Sequence, residues 1–157
     1  AMVGVDEPYD IVVTTNSGYP LDQNLYQTIK GMKAAMGIVR EGGHIIMAAA
    51  CEDGIPDHGR YLELLIEAGS PQGFMDILAQ PGFGEQDQWQ VQTQAMVQLK
   101  AKVHVFSENL SDEQIRTALF TPSRSVVVTV ERLVVVIGPG ARICAMPEGP
   151  QTIAYVR

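Results

Sequence analysis

Ile11-Val-Val-Thr-Thr-Asn-Ser-Gly-Tyr-Pro-Leu-Asp-Gln-Asn-Leu-Tyr-Gln-Thr-Ile-Lys30 is the stretch that decides the fold of this chain. Its first four residues are apolar or β-branched and predict a short buried strand. Gly18 and Pro20 then predict a turn, and a helix with a polar beginning follows. This order is typical of α/β proteins, which bind small molecules beyond the carboxyl ends of their strands. We therefore expect a ligand site near this turn.

The helix after the turn carries an apolar stripe that indicates packing on a core. The stripe recurs every three or four residues and comprises Leu25, Ile29, Met32, Met36 and Val39. Asp22 is placed to cap the helix with its side-chain oxygen. Gly42 and Gly43 predict the end of the helix, and residues 44–50 predict a second buried strand.

The rest of the chain continues to alternate between helices and strands. Helices are predicted over 60–67, 71–79, 86–100 and 111–119, and strands over 103–106 and 142–146. Residues 147–150 are interpreted as the close of the domain. Residues 125–137 are ambiguous: nine of the thirteen are Val, Ile or Leu and favour a strand, whereas Ser125 and Gly138 favour the two ends of a helix.

This alternation predicts an α/β fold, a single three-layer domain with a mostly parallel sheet flanked by helices. The chain has 157 residues, enough to bury a core. Ala1 precedes Met2 and is interpreted as a cloning remnant, so the domain is expected over residues 3–157.

Composition excludes several classes of function. The net charge of -7 argues against nucleic-acid binding, which requires a basic surface. Cys51 and Cys144 have no spacing that suits a thiolate zinc site, and they fit a reducing compartment. No apolar run predicts a membrane span and no export signal is present, so we expect a cytoplasmic protein.

One face of the first helix is polar and suited to a carboxylate ligand. Gln23, Tyr26 or Gln27, and Lys30 share this face, roughly opposite the apolar stripe. Lysine supplies positive charge, and the glutamine amide supplies a directional hydrogen-bond donor. The alternative is an ordinary solvated helix surface with no ligand.

Several motifs resemble the C-terminal domain of the lactate racemase family. The most specific are Asn16 to Gly31 and Asp87-Gln-Trp-Gln90, and weaker ones are Gly42-Gly43-x-Ile-Ile46, Cys51-x-Asp-Gly54 and Met146-Pro-x-Gly-Pro150. The resemblance implies a helix over 125–137. It also implies an enzyme that inverts 2-hydroxy acids by hydride transfer to and from a nickel-pincer nucleotide cofactor.

The resemblance assigns roles to four residues. Lys30 would stabilise a carboxylate of the substrate or cofactor, and Gln27 would hydrogen-bond beside it. Trp89 would form an apolar wall, and Tyr26 would line the substrate side. The family's acid–base histidines and cofactor-holding residues belong to the N-terminal domain, the expected partner, and His44, His58 and His104 match none of them. Those three histidines are therefore interpreted as structural. Cys51 has no basic neighbour close in sequence and is also interpreted as structural.

We accordingly expect this chain alone to be inactive. The rival hypothesis is a domain that binds a small carboxylate or a protein partner and catalyses nothing. An upstream segment with paired histidines and a lysine-bearing cofactor motif would favour the enzyme.

Overall fold

The computed structural model describes all 157 residues and places them in two parallel sheets and six α-helices. In chain order the elements are β1 (Met2–Val5), β2 (Tyr9–Thr15), α1 (Leu25–Met36), β3 (Val39–Ala48), α2 (Tyr61–Ala68), α3 (Pro71–Leu78), α4 (Gln88–Lys100), β4 (Ala101–Phe106), α5 (Asp112–Thr117), β5 (Thr121–Pro122), α6 (Val126–Ile137), β6 (Ile143–Met146) and β7 (Ile153–Val156).

Five strands form the central sheet in the order β5-β4-β3-β2-β6, and every neighbouring pair is parallel. Successive residues of a strand point to opposite faces of a sheet. Val12 and Ile45 belong to the main core of 27 buried residues, which α1 and α4 help to form. Ile11 and Ile46 instead pack with Leu133 of α6. The predicted α/β domain with helices on both faces of a parallel sheet is confirmed.

The first helix has the predicted apolar stripe, but two of its predicted limits are wrong. Leu25, Ile29 and Met32 are fully buried, as expected. The N-cap is Asn24, whose side-chain oxygen accepts a hydrogen bond from the Gln27 amide at 3.1 Å. Asp22 is not the cap, because its carboxylate accepts from the amide of Ala50 at 2.9 Å across the strand-end loops.

The predicted carboxyl end of this helix is also wrong. α1 ends at Met36, and Val39 begins β3 opposite Tyr9. Gly42, with a φ of 70°, lies inside β3 where the register slips between Tyr9 and Ile11. A helix and a strand that face the same core both bury apolar residues, so the helical spacing continued by chance through the turn between them.

Residues 125–137 form a helix, as the resemblance implied. The Ser125 side chain accepts a hydrogen bond from the Val128 amide at 3.2 Å, and Gly138 terminates α6. Local capping thus outweighs the β-propensity of the valines. Only Thr129 and Leu133 of α6 are buried.

Three short strands were missed. β1 and β7 pair in a separate two-stranded parallel sheet, and β5 has only two residues. The 147–150 segment does not close the domain, because a 3-10 turn over Gly149–Gln151 leads on into β7. None of the helices has both the length and the apolar content that a membrane crossing requires.

Candidate functional site

Gln27 and Lys30 lie together on the exposed side of α1, here called the Lys30 face. The Lys30 ammonium donates to the Gln27 side-chain oxygen at 2.8 Å. Lys30 forms no ion pair with any carboxylate of the chain. The Gln27 oxygen is occupied, and its amide N–H groups have no partner within the chain. The face therefore presents one unneutralised cation beside two unused N–H donors.

Asn16 fixes the turn against the helix that carries this face. It is 1% exposed, its side-chain oxygen accepts from the Gly31 amide at 3.0 Å, and its amide donates to the Leu21 carbonyl. A Cβ at Gly31 would lie 2.7 Å from the Thr15 carbonyl oxygen, so glycine permits this close approach to the end of β2. Asn16 was quoted in the sequence motif, but its anchoring role was not predicted.

Tyr26 is half-buried between α1, α2 and α4. Its hydroxyl lies 3.4 Å from the Asp87 carboxylate, and its ring meets that of Tyr61 edge-on at 5.3 Å between centroids. Burial raises the pKa of Tyr26, and the negative charge of Asp87 raises it further. The phenol therefore stays protonated at neutral pH.

Trp89 is the second residue of α4 and is 76% exposed. The next residue, Gln90, donates its side-chain amide to the Tyr26 carbonyl at 2.7 Å, which ties this end of α4 to the first turn of α1. The structure thus brings the beginning of α4 next to the helix of Gln27 and Lys30. It leaves the large indole ring open to solvent, where an apolar group of that size is available to cover a ligand.

Asp87 connects the elements around Tyr26, which sequence reasoning did not foresee. It precedes α4 with a φ of 69°, and its carboxylate accepts from the Arg60 amide at 2.9 Å. Gln23, in contrast, lies before α1 rather than on its face, and its amide donates to the Asp53 carboxylate at 2.5 Å. Of the polar residues predicted to share one helical face, only Gln27 and Lys30 form the exposed pair.

Comparison with known proteins decides the family. The model of the lactate racemase C-terminal domain matches residues 5–154, nearly the whole chain. The chain belongs to the lactate racemase C-terminal domain family. The resemblance of the motifs is thereby confirmed.

Two lactate racemases are similar in sequence to this domain. That of Thermoanaerobacterium thermosaccharolyticum is 34% identical over 149 residues, which are 94% of this chain and 35% of the relative. That of Lactiplantibacillus plantarum is 33% identical over 142 residues, 89% of this chain and 33% of the relative. The domain thus spans about a third of the length of these relatives.

Solved structures agree with the fold. The lactate racemase apoprotein of T. thermosaccharolyticum superimposes with a TM-score of 0.84 at 32% identity, covering 97% of this chain and 36% of that one. A protein from Thermotoga maritima has a TM-score of 0.64 at 12% identity, covering 99% of this chain and 39% of that one. The second likeness concerns the fold alone.

The strand ends of this lactate racemase C-terminal domain form a concave region separate from the Lys30 face. A cleft of about 440 Å³ lies there, with Thr15, Asp22, Glu52 and Glu108 among its lining residues. Three of these are acidic and would repel an anionic ligand. A carboxylate therefore suits the Lys30 face better than the strand-end cleft.

Cys51 lies in the loop that follows β3 and is fully buried. Burial raises the pKa of its thiol to about 11. Only the thiolate is a strong nucleophile, so this cysteine is inert at neutral pH. The structural interpretation of Cys51 agrees with this environment.

Two of the three histidines form a pair that was not predicted. His44 Nδ1 lies 3.1 Å from His104 Nε2, on the sheet face covered by α6 rather than on that of α1. Burial, together with the smaller effects of neighbouring His44, Lys102 and Arg132, lowers the pKa of His104 to about 4. His104 is therefore neutral at pH 7, across the sheet from Lys30. His58 lies in the loop between β3 and α2.

Proposed function

We propose that this domain supplies one wall of the substrate pocket in a longer enzyme that inverts a 2-hydroxy acid. The Lys30–Gln27 pair carries the proposal, because it presents a cation without a carboxylate partner beside free amide donors. Membership of the lactate racemase C-terminal domain family supports it, as do relatives named lactate racemase. Lys30 and Gln27 are the residues assigned to hold the ligand.

The pair is suited to a carboxylate in both charge and geometry. The Lys30 ammonium has three N–H groups, of which one is donated to Gln27. The other two N–H groups of Lys30 and the N–H groups of the Gln27 amide come from residues one helical turn apart. They can donate to the two oxygens of one carboxylate. A substrate held in this way has its carboxylate fixed while its α-carbon faces away from α1.

Trp89 and Tyr26 are proposed to enclose the ligand. Covering the bound acid with the exposed indole would exclude water and strengthen the attraction between Lys30 and the carboxylate. Tyr26 would line the substrate side with its ring, whose position is set by Asp87 and Tyr61. This arrangement lowers the freedom of the substrate before reaction.

The nickel-pincer nucleotide of the family would supply the hydride acceptor. The side chains of the Lys30 face fit a carboxylate of that group or of the substrate, since a protonated lysine and a glutamine amide are hydrogen-bond donors. They do not form a nickel site, and no group of three His, Cys, Asp or Glu side chains in the domain is arranged to hold a metal ion. Metal ligation and proton transfer are assigned to the N-terminal part of the full-length protein.

The test is racemisation by the full-length, cofactor-loaded protein. We expect it to reduce the optical purity of at least one short 2-hydroxy acid, whereas this domain alone with added cofactor should not. Full-length protein that binds hydroxy acids without inverting them would instead support the binding-module hypothesis. Turnover by the isolated domain would contradict the assignment of proton transfer to the N-terminal part.

A further inference from the structure

The strand-end cleft is lined by acidic residues and by no cation. Ten residues surround its volume of about 440 Å³, and none of them is Lys, Arg or His. Asp22, Glu52 and Glu108 are among the ten, and none of their carboxylates forms an ion pair within the chain. The cleft therefore gathers three unpaired carboxylates at the carboxyl ends of the strands, where α/β proteins bind their ligands.

Asp22 is the buried member of this group, with an exposed fraction of 6%. Its Oδ2 atom accepts a hydrogen bond from the Ala50 amide at 2.9 Å, whereas its buried Oδ1 atom has no hydrogen-bond partner. A buried polar atom without a partner costs free energy, so native proteins contain few of them. The Ala50 amide needs one acceptor, which the side chain of an asparagine would supply without a charge. The second oxygen of Asp22 is therefore available to a donor that the chain itself does not provide.

The remaining polar groups of the cleft are also mainly acceptors. Glu52 and Glu108 are exposed, in the loops that follow β3 and β4. The Thr15 hydroxyl donates to the Pro147 carbonyl at 2.6 Å. The Asn109 amide donates to a carbonyl at 2.8 Å, which leaves its side-chain oxygen as a further acceptor. A ligand of this cleft must therefore supply hydrogen-bond donors and positive charge.

The arrangement of the cleft suits an organic cation. Its three carboxylates do not converge on one point, since no group of three His, Cys, Asp or Glu side chains is arranged to hold a metal ion. An ammonium group has three N–H donors and needs no such convergence. Ala48, Ala49 and Phe106 supply apolar surface in the same wall, against which methylene groups can pack. We propose that the strand-end cleft binds an ammonium group carried on an aliphatic chain.

Asp22 is the anchor for the ammonium group. A hydrogen bond from the ammonium to Oδ1 pairs the unsatisfied oxygen and is strengthened by the two opposite charges. The exposed Glu52 and Glu108 attract the cation and contribute less, because water and salt screen them. Two sources carry this chemistry: a free aliphatic amine, and a lysine in the part of a full-length protein outside this domain. The cleft is not lined by Gln27 or Lys30, so the site does not depend on the proposed function.

Calorimetric titration of this chain with butane-1,4-diamine tests the proposal. We expect saturable binding that weakens as the salt concentration rises. Asp22→Asn, whose amide oxygen can still accept from Ala50, should raise the dissociation constant at least about tenfold. Glu52→Gln and Glu108→Gln should each raise it about threefold, because these side chains are exposed. Glu41→Gln is the matched control and should have no effect, since Glu41 is exposed near the opposite end of β3 and does not line the cleft.

Two further probes and the full-length protein sharpen the test. Tetramethylammonium has the charge without N–H donors, and butan-1-ol has the chain without the charge, so both should bind at least about tenfold more weakly than the diamine. A full-length protein that binds the diamine as this chain does indicates a free amine as the ligand. One that excludes the diamine, and in which carbodiimide links a lysine of its remaining part to Glu52 or Glu108, indicates the internal lysine.

Three results would overturn the ammonium site. The first is the absence of saturable binding to this chain at about 10 mM diamine. The second is equal affinity of the native chain and Asp22→Asn for the diamine. The third is tetramethylammonium bound as tightly as the diamine. Circular dichroism would verify that Asp22→Asn is folded, and the two glutamate variants, which change only exposed side chains, carry the test if it is not.

Discussion

The Lys30 ammonium lies 2.8 Å from the side-chain oxygen of Gln27, one helical turn earlier in α1. The contact orients the amide of Gln27 so that its N–H groups stay free, and it leaves the charge of Lys30 without a carboxylate partner. The pair is the structural basis of the predictions on activity that follow.

Removal of the Lys30 charge should impair the full-length enzyme. We expect Lys30→Ala to lower kcat/KM for a 2-hydroxy acid at least tenfold, which corresponds to about 1.4 kcal/mol of transition-state stabilisation. Lys102→Ala is the matched control, since Lys102 is also exposed but lies at the second position of β4 rather than on α1. Racemisation rates of the two variants measure whether the Lys30 charge contributes to activity. Equal rates would make Lys30 an ordinary surface residue.

Conversion of the Gln27 amide into a carboxylate should be worse than its removal. Gln27→Glu places a negative charge within reach of Lys30, so the lysine pairs internally and the substrate carboxylate is repelled. We expect KM to rise at least about tenfold, and more than in Gln27→Met. The same KM in both variants would show that charge at this position does not affect binding. Unfolding transitions of both proteins serve as the control for stability.

Asn16 should contribute strongly to stability. Asn16→Ala leaves the Gly31 amide buried without an acceptor and releases the turn from α1. We expect the free energy of unfolding to fall by about 2–4 kcal/mol, as judged by urea denaturation. Asn109→Ala is the comparison, because the exposed Asn109 amide also donates to a backbone carbonyl and should cost less than about 1 kcal/mol. Similar losses in the two variants would refute the anchoring role.

The buried His104 should make stability depend on pH. Burial lowers its pKa to about 4 in the folded state, below the value near 6.5 of an unfolded chain. The unfolded state therefore binds more protons between these values. The stabilisation is complete above about pH 6.5 and is lost progressively as the pH falls towards 4, by on the order of 3 kcal/mol. His44, whose pKa burial also lowers, acts in the same direction.

Comparison with a non-titrating variant measures this effect. His104→Gln removes the ionisable group while it keeps hydrogen-bonding capacity. The unfolding free energy of the variant should fall less than that of the native chain between pH 7 and pH 4.5. Parallel curves for the two proteins would mean that His104 does not titrate on unfolding. Each protein is measured against its own value at pH 7, which accounts for the cost of the substitution itself.

The accuracy of prediction from sequence differed between elements for identifiable reasons. Ser125 and Gly138 correctly delimited α6 because capping depends on residues within one turn of the helix. The end of α1 was misplaced because Val39 continues the apolar spacing although it belongs to β3. The spacing of apolar residues shows which residues are buried, not which element they belong to. Because α1 and β3 bury residues in the same core, the apolar spacing runs on from one element into the next.

In the candidate site too, contacts between residues close in sequence were predictable and contacts between distant residues were not. Gln27 and Lys30 are three residues apart on one helix, so sequence alone placed them side by side. Their role as ligands remains a proposal. The contact of Tyr26 with Asp87 joins residues 61 positions apart, and no local pattern indicates it. The prediction that Asp22 caps α1 is wrong for the same reason, since its partner is the distant Ala50 amide.

The sequence by itself determined the α/β alternation, the polar side of α1 and the family, because these rest on spacing and motifs within short segments. Only the tertiary structure decided which segments meet: β1 with β7, His44 with His104, and the beginning of α4 with α1. It also showed that the valines of α6 face solvent rather than a core. The physical reason is that local hydrogen bonds and side-chain spacing select helices and strands, whereas burial and distant pairing follow from how the whole chain packs.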